Sequence, residues 1–301
     1  MSRVFVNPTY WHSESQYDLD HAWPAHRVHT IDELLEWLGR MNRQGIAWRG
    51  VDGDFVSLVP AVFRRGPVSL EAEHRLVCEF VDQAYDLLTK PERVRVDRSR
   101  ERWGRSLNFG SIFVAQHREV PTRGLDWTDN PEVALHFAMG CDRSRCEQPG
   151  REVRRDAWVW WLNAAELDSR VSGLWQPLGV LPERAPDALE RDLGSNFESF
   201  GTKRWITALR FDDLENDRPM RQAAWSIYTS ASYPHYDRLL HGLGIEKCGR
   251  LIIPASLRPK VWAFLEGRGI NDKQLGLIPD AAQDVAIKIR RAWEEGRQTL
   301  A

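Results

Sequence analysis

The chain has 301 residues, 42% apolar and 28% charged, a balance that excludes a disordered polymer and supplies enough apolar material for a sizeable core. Forty-one Lys and Arg against 43 Asp and Glu leave a formal charge of −2, which excludes a global basic field for gripping a nucleic-acid backbone. No run of about 18 apolar residues occurs, and Met1-Ser2-Arg3-Val4-Phe5 begins no apolar leader, so a cytoplasmic protein without a membrane partner is expected. Cys78, Cys141, Cys146 and Cys248 lack paired spacing or nearby histidines, which points to neither a disulfide framework nor a metal site. Fourteen tryptophans are mostly core material, since each ring buries a large area.

One domain over 1–301 is expected, with 1–29 an aromatic, polar arm broken by Pro8 and Pro24. Thr30-Ile31-Asp32-Glu33 has the spacing of a capping box, and Leu34, Leu35, Leu38 and Met41 follow at helical intervals to about Asn42. Ile46 to Val51 reads as a strand entering a turn, carrying Arg49. The apolar positions from Leu76 to Leu88 predict a helix over 69–89, followed by a basic connection over 90–105 and a helix over 106–117. Asn130-Pro131 opens a further helix, as an N-cap followed by proline in the first turn, and Ala157 to Leu162 is a strand by aromatic and β-branched content. Pro177, Pro182 and Pro186 among glycines predict an irregular insertion over 170–200. Strands at 222–229 and 248–254 and helices at 257–267 and 280–296 complete an α+β chain with a mixed or antiparallel sheet and flanking helices.

Chemistry concentrates between the helix ending at His117 and the one opening at Pro131. Gln116, His117, Arg123, Asp126, Trp127 and Thr128 converge there in a short loop stiffened by Pro121. Each has a plainer alternative. His117 suits a helix C-terminus, Thr122 and Thr128 suit caps, Arg64 and Arg123 suit a solvated surface, and Arg49 suits a tie to Asp126. The run from Arg93 to Arg102 is interrupted by acids and reads as a solvated connection before a nucleic-acid track. No phosphate-loop, serine-elbow or zinc-protease motif occurs.

Trp48-Arg49-Gly50, Leu58-Val59-Pro60-Ala61-Val62-Phe63-Arg64, the helix from Glu71, Ala115-Gln116-His117, Pro121-Thr122-Arg123 and Leu125-Asp126-Trp127-Thr128, followed by Ala134 and Phe137-Ala138, together resemble an FRG domain. Two departures stand out. The namesake Phe-Arg-Gly is Trp48-Arg49-Gly50, and the usual His-Tyr-Gly-Leu-Pro is His117-Arg118-Glu119-Val120-Pro121, with charges replacing an aromatic and a glycine. The layout also looks like that of ADP-ribosyltransferases, which implies a corresponding fold and NAD as substrate. On that likeness Arg49, Thr128 and Gln222 form the catalytic set, with Arg49 holding the pyrophosphate or the nicotinamide ribose, Thr128 bonding a ribose or positioning the last of the three, and Gln222 standing in the place of a catalytic glutamate. An amide there binds a hydroxyl but takes no proton. Arg64, Gln116, His117, Arg123, Asp126 and Trp127 would line the substrate site, with Asp126 and His117 an alternative acid/base pair and Trp127 a stacking face. The macromolecular acceptor, nucleic acid or other, has no readable code; the alternative is a recognition module that binds without turnover.

Overall fold

A computed structural model describes residues 19–42, 45–52, 57–64, 68–103, 109–140, 155–175, 206–210, 222–229, 235–277 and 279–298. In chain order the described elements are α1 (Leu19–Ala22), β1 (Ala25–Arg27), α2 (Ile31–Asn42), β2 (Ile46–Asp52), α3 (Leu70–Ala84), α4 (Lys90–Trp103), α5 (Phe109–His117), β3 (Leu125–Thr128), α6 (Pro131–Ala138), β4 (Ala157–Asn163), α7 (Ala164–Trp175), β5 (Ile206–Arg210), β6 (Ala224–Thr229), α8 (Tyr236–Gly242), β7 (Cys248–Ile253), α9 (Arg258–Gly267) and α10 (Ala281–Gln298). The strands join in one mixed sheet ordered β1-β7-β4-β2-β3-β6-β5. β1 runs parallel to β7 and every other pair is antiparallel, so the expected α+β class with a mixed sheet and flanking helices is what the chain forms.

Strand alternation divides the core. On β4, Trp160 and Leu162 enter one cluster while Ala157 and Val159 enter the other; on β2, Ala47 parts from Ile46 and Trp48 in the same way. The first cluster gathers α3, α5, α8 and α10 through residues such as Phe80, Ile112, Leu240 and Ile289. The second gathers α2, α6 and α9 through Leu34, Leu38, Leu135, Val261 and Leu265. A sheet covered on both sides reads as nearly continuous apolar strands, which is why Ala157 to Leu162 shows no polar alternation. Trp23, Trp48, Trp127 and Trp160 are among the largest fully buried side chains, whereas Trp158 and Trp161 are half-buried.

Local signals place several boundaries. Thr30 Oγ1 accepts the Glu33 N–H at 3.1 Å, and the Glu33 carboxylate reaches back to the His29 N–H at 2.8 Å. Asn130 Oδ1 accepts the Glu132 N–H at 2.9 Å to open α6 behind Pro131. Other expectations are corrected. The basic stretch after residue 89 is a helix, α4, because its few apolar groups suffice: Val96 is fully buried and Glu92 is held inside by an arginine. Helix α7 carries regular structure to Trp175, into the expected insertion, whose remainder from 176 to 200 lies outside the described residues. Leu125–Thr128, read as loop, is a strand, and β5 was not anticipated. The arm forms α1 and β1 over its described part; Arg250 pins it, donating from Nε to the Trp23 carbonyl at 2.8 Å and from Nη2 to Asp20, with its guanidinium 5.4 Å from the ring centroids of both Trp158 and Trp160.

Gly50 sets the distance between β2 and α6. A Cβ there would stand 1.9 Å from the Ala134 carbonyl oxygen and 2.5 Å from the Ala138 nitrogen, both helix backbone. Neither can swing away, so the strand admits only glycine. Gly50→Ala is expected to destabilise the protein by at least about 2 kcal/mol in urea denaturation. Gly39→Ala, on α2 where a Cβ meets nothing within 4 Å, should instead stabilise by about 1 kcal/mol.

Candidate functional site

Strands β2 and β3 pair at one register position, Trp48 opposite Thr128. Beyond it the Arg49 side chain bridges them, with Nη1 donating to the main-chain carbonyl of Asp126 at 2.5 Å. Arg49 Nε is buried with no hydrogen-bond partner among the described residues. Loss of hydration pushes the guanidinium down to about 10, the Asp126 carboxylate opposes that, and Arg64 adds to it. Arg49 therefore remains a cation at neutral pH, with a second guanidinium near enough to disturb it. Arg64 is itself held below its ordinary value, by loss of hydration first and Arg290 second, with Glu294 opposing.

Asp126 is fixed from the other side by a polar network. Its Oδ1 accepts from Gln116 Nε2 on α5 and from Ser226 Oγ, the residue opposite it on β6. The Gln116 oxygen accepts from Thr122 Oγ1 at 3.1 Å and Tyr228 OH at 3.0 Å, which turns the amide nitrogen toward the carboxylate. Gly124 leaves room for that amide: a Cβ would lie 1.8 Å from Gln116 Oε1. Burial, then Asp126, pushes the Tyr228 phenol well above its ordinary value, so it stays protonated and donating.

The remaining expected site residues are elsewhere engaged. Arg123 is buried, not solvated: its Nε bonds Glu73 Oε2, its backbone N–H donates to Glu73 Oε1 at 2.8 Å, and its carbonyl accepts from Tyr236 OH at 2.7 Å. Trp127 is buried in a stack with Trp225, ring centroids 6.1 Å apart, and offers no open face. His117 is buried at the end of α5 with its ring edge-on to Phe113 at 4.4 Å, and the bonds to the Asp126 carboxylate come from Gln116 and Ser226. Thr128 Oγ1 donates to the Gln222 carbonyl at 2.6 Å and accepts the Asn130 N–H at 3.0 Å. Gln222 precedes β6 in a turn, and its amide donates to the Leu275 carbonyl at 3.0 Å. Thr128 and Gln222 thus meet each other, and no hydrogen bond joins either to Arg49. Ser226, Tyr228 and Glu73 went unsuspected. The signal available was two polar residues at alternate positions of an otherwise apolar strand, Trp225-Ser226-Ile227-Tyr228.

The charged substitutions in the 117–121 loop have a structural role. Glu119 adopts φ 69°, the left-handed conformation that the glycine of the usual pattern favours. Arg118 turns inward, pairing with Glu92 through Nε and Nη2 at 2.8 Å each and with Asp280 at 2.6 Å, so α4, α5 and α10 are clamped behind the site.

Residues 44–146 match the family model of the FRG domain, so the chain carries an FRG domain. That span contains Arg49, Arg64, Gln116 and Asp126 and stops short of Ser226 and Tyr228, which complete the network. No curated protein and no solved structure matches the chain.

Glu92 gives the clamp a pH signature. Burial pushes its carboxyl up, but bonds from Arg118 and Thr89 outweigh burial and leave it below its ordinary value; Asp280 is lowered in the same way, Arg118 outweighing burial. A carboxyl depressed in the folded state stabilises above the unfolded value, about 4, and that stabilisation is lost as pH falls through the folded value. Arg118→Met should be less stable than the unmutated protein at pH 7 by about 3 kcal/mol, and the gap should narrow as denaturation is repeated toward pH 3.

Proposed function

We propose that the FRG domain of this chain binds a phosphate-bearing nucleotide, with nicotinamide dinucleotide the foremost candidate, at the cationic face formed by Arg49 and Arg64. The carrying observation is Arg49 itself: one N–H engaged by a backbone carbonyl, a buried Nε without a partner among the described residues, and a second guanidinium beside it. Arg64 is exposed, so the cost falls on Arg49: a buried guanidinium N–H without a partner is unfavourable unless an acceptor meets it, and a guanidinium fork matches phosphate oxygens in pairs. Arg64→Ala should weaken binding less than Arg49→Ala, because Arg64 also answers to Glu294.

The same site supports two chemical outcomes. The likeness to an ADP-ribosyltransferase layout favours transfer of ADP-ribose from the dinucleotide, in which case Asp126 is the carboxylate beside the cation. Recognition without turnover is favoured by the engagement of the Thr128 hydroxyl and the Gln222 amide in backbone hydrogen bonds. Calorimetry with the full chain should give saturable binding of nicotinamide dinucleotide that Arg49→Ala weakens at least about tenfold and Arg49→Lys weakens less. Release of nicotinamide, with transfer of label to protein or nucleic acid in an extract, identifies the transferase; binding without release identifies the recognition module. Absence of binding by the folded protein overturns the proposal.

A further inference from the structure

The Asp126 carboxylate is built as half of a receptor. Its Oδ1 is saturated by the Gln116 amide and the Ser226 hydroxyl. The amide cannot flip, because Thr122 and Tyr228 hold its oxygen, and Gly124 keeps the space it fills. Three elements, α5, β3 and β6, therefore fix one carboxylate in a single orientation. Its Oδ2 accepts no hydrogen bond from the described residues, and Asp126 is half-buried, open on one side. A carboxylate only accepts, so whatever meets Oδ2 brings a hydroxyl or N–H donor.

The cation is fixed relative to this acceptor by the residue's own backbone, since Arg49 donates to the Asp126 carbonyl. The anion anchor on Arg49 and the hydroxyl acceptor on Asp126 are thus tied together through the Asp126 backbone. A bare phosphate satisfies Arg49 but is repelled by Asp126. A phosphate ester of a sugar satisfies both, with its oxygens on the guanidinium and a sugar hydroxyl on the carboxylate.

We infer that Asp126 reads the ribose hydroxyls of the bound nucleotide, making the site selective for ribonucleotides over their deoxy counterparts. The inference rests on the nucleotide-binding reading and adds the group that discriminates. A site that expects a hydroxyl rejects a ligand without one strongly, because the fixed acceptor is left desolvated and unpaired. Gln116 and Ser226 are positioning residues in this scheme, acting through the orientation of Asp126.

The test compares ADP, 2′,3′-dideoxy-ADP and inorganic pyrophosphate by calorimetry on the full chain. The unmutated protein should bind ADP at least about tenfold more tightly than the dideoxy compound. Asp126→Asn should erase that difference by weakening ADP, while pyrophosphate binds as well as before or better because the repelling charge is gone. A purely structural role for Asp126 predicts instead a parallel loss for all three. Equal binding of ADP and dideoxy-ADP by the unmutated protein overturns the inference while leaving nucleotide binding intact, and needs no variant. Failure of the folded protein to bind ADP or pyrophosphate overturns nucleotide binding and the inference together. Ser226→Ala, which removes one donor to Oδ1 and keeps the charge, should shrink the discrimination without abolishing it.

Discussion

One hydrogen bond organises the centre of this protein: the Arg49 guanidinium donating to the Asp126 carbonyl where β2 and β3 pair at a single register position. A short strand contact leaves main-chain groups to be satisfied by other means, and a buried carbonyl without a donor would cost about 1–3 kcal/mol. Arg49 supplies the donor and in doing so is held with its remaining N–H groups in a fixed place. The central sheet thus obtains continuity from a side chain, and that side chain becomes a pre-oriented cation. Structure and ligand recognition are two uses of the same guanidinium.

The surroundings are arranged to keep that geometry stiff. Glu73 and Arg123 form a buried ion pair under the loop that leads into β3; Arg118 and Glu92 form another after α5, to which the exposed Asp280 adds a second carboxylate. Such pairs are weak stabilisers against an apolar alternative, yet removing one partner strands the other in the interior. Their value here lies in position: Glu73 fixes Arg123, the residue before Gly124, which admits the Gln116 amide, which fixes Asp126. Gly50 contributes from the opposite side by allowing α6 to lie directly on β2. The two residues of the Arg-Gly pair therefore do unrelated physical work, one as a charge and one as an absence of side chain.

Much of this was legible in the order of residues, though not all for the expected reason. The loop between α5 and α6 stands out in the sequence by its density of polar groups, and there Gln116 bonds the Asp126 carboxylate while Arg49 bonds the Asp126 carbonyl. Arg123, Trp127 and His117 were drawn to the same place by proximity in sequence, but their side chains pack inward, because a loop pinned between core elements is itself half core. Thr128 and Gln222, marked by analogy of layout, meet in space: the Thr128 hydroxyl donates to the Gln222 carbonyl and the Gln222 amide donates to the Leu275 carbonyl.

The sequence by itself determined the elements whose signal is local: the capped starts of α2 and α6, the apolar face of α3, the doubly buried strand β4, and the blocks that carry the FRG domain. These rest on interactions between residues a few positions apart, or on one-dimensional spacing of apolar groups. Only the tertiary structure decided that Leu125–Thr128 is a strand, since four residues acquire that conformation by pairing with β6 about a hundred positions away. It alone brought Ser226 and Tyr228 to Asp126 and Gln116, and turned the charges of α4 and the 117–121 loop into a clamp. Contacts at such separation are chosen by the packing of the whole sheet, and no local pattern encodes which polar residue will face which.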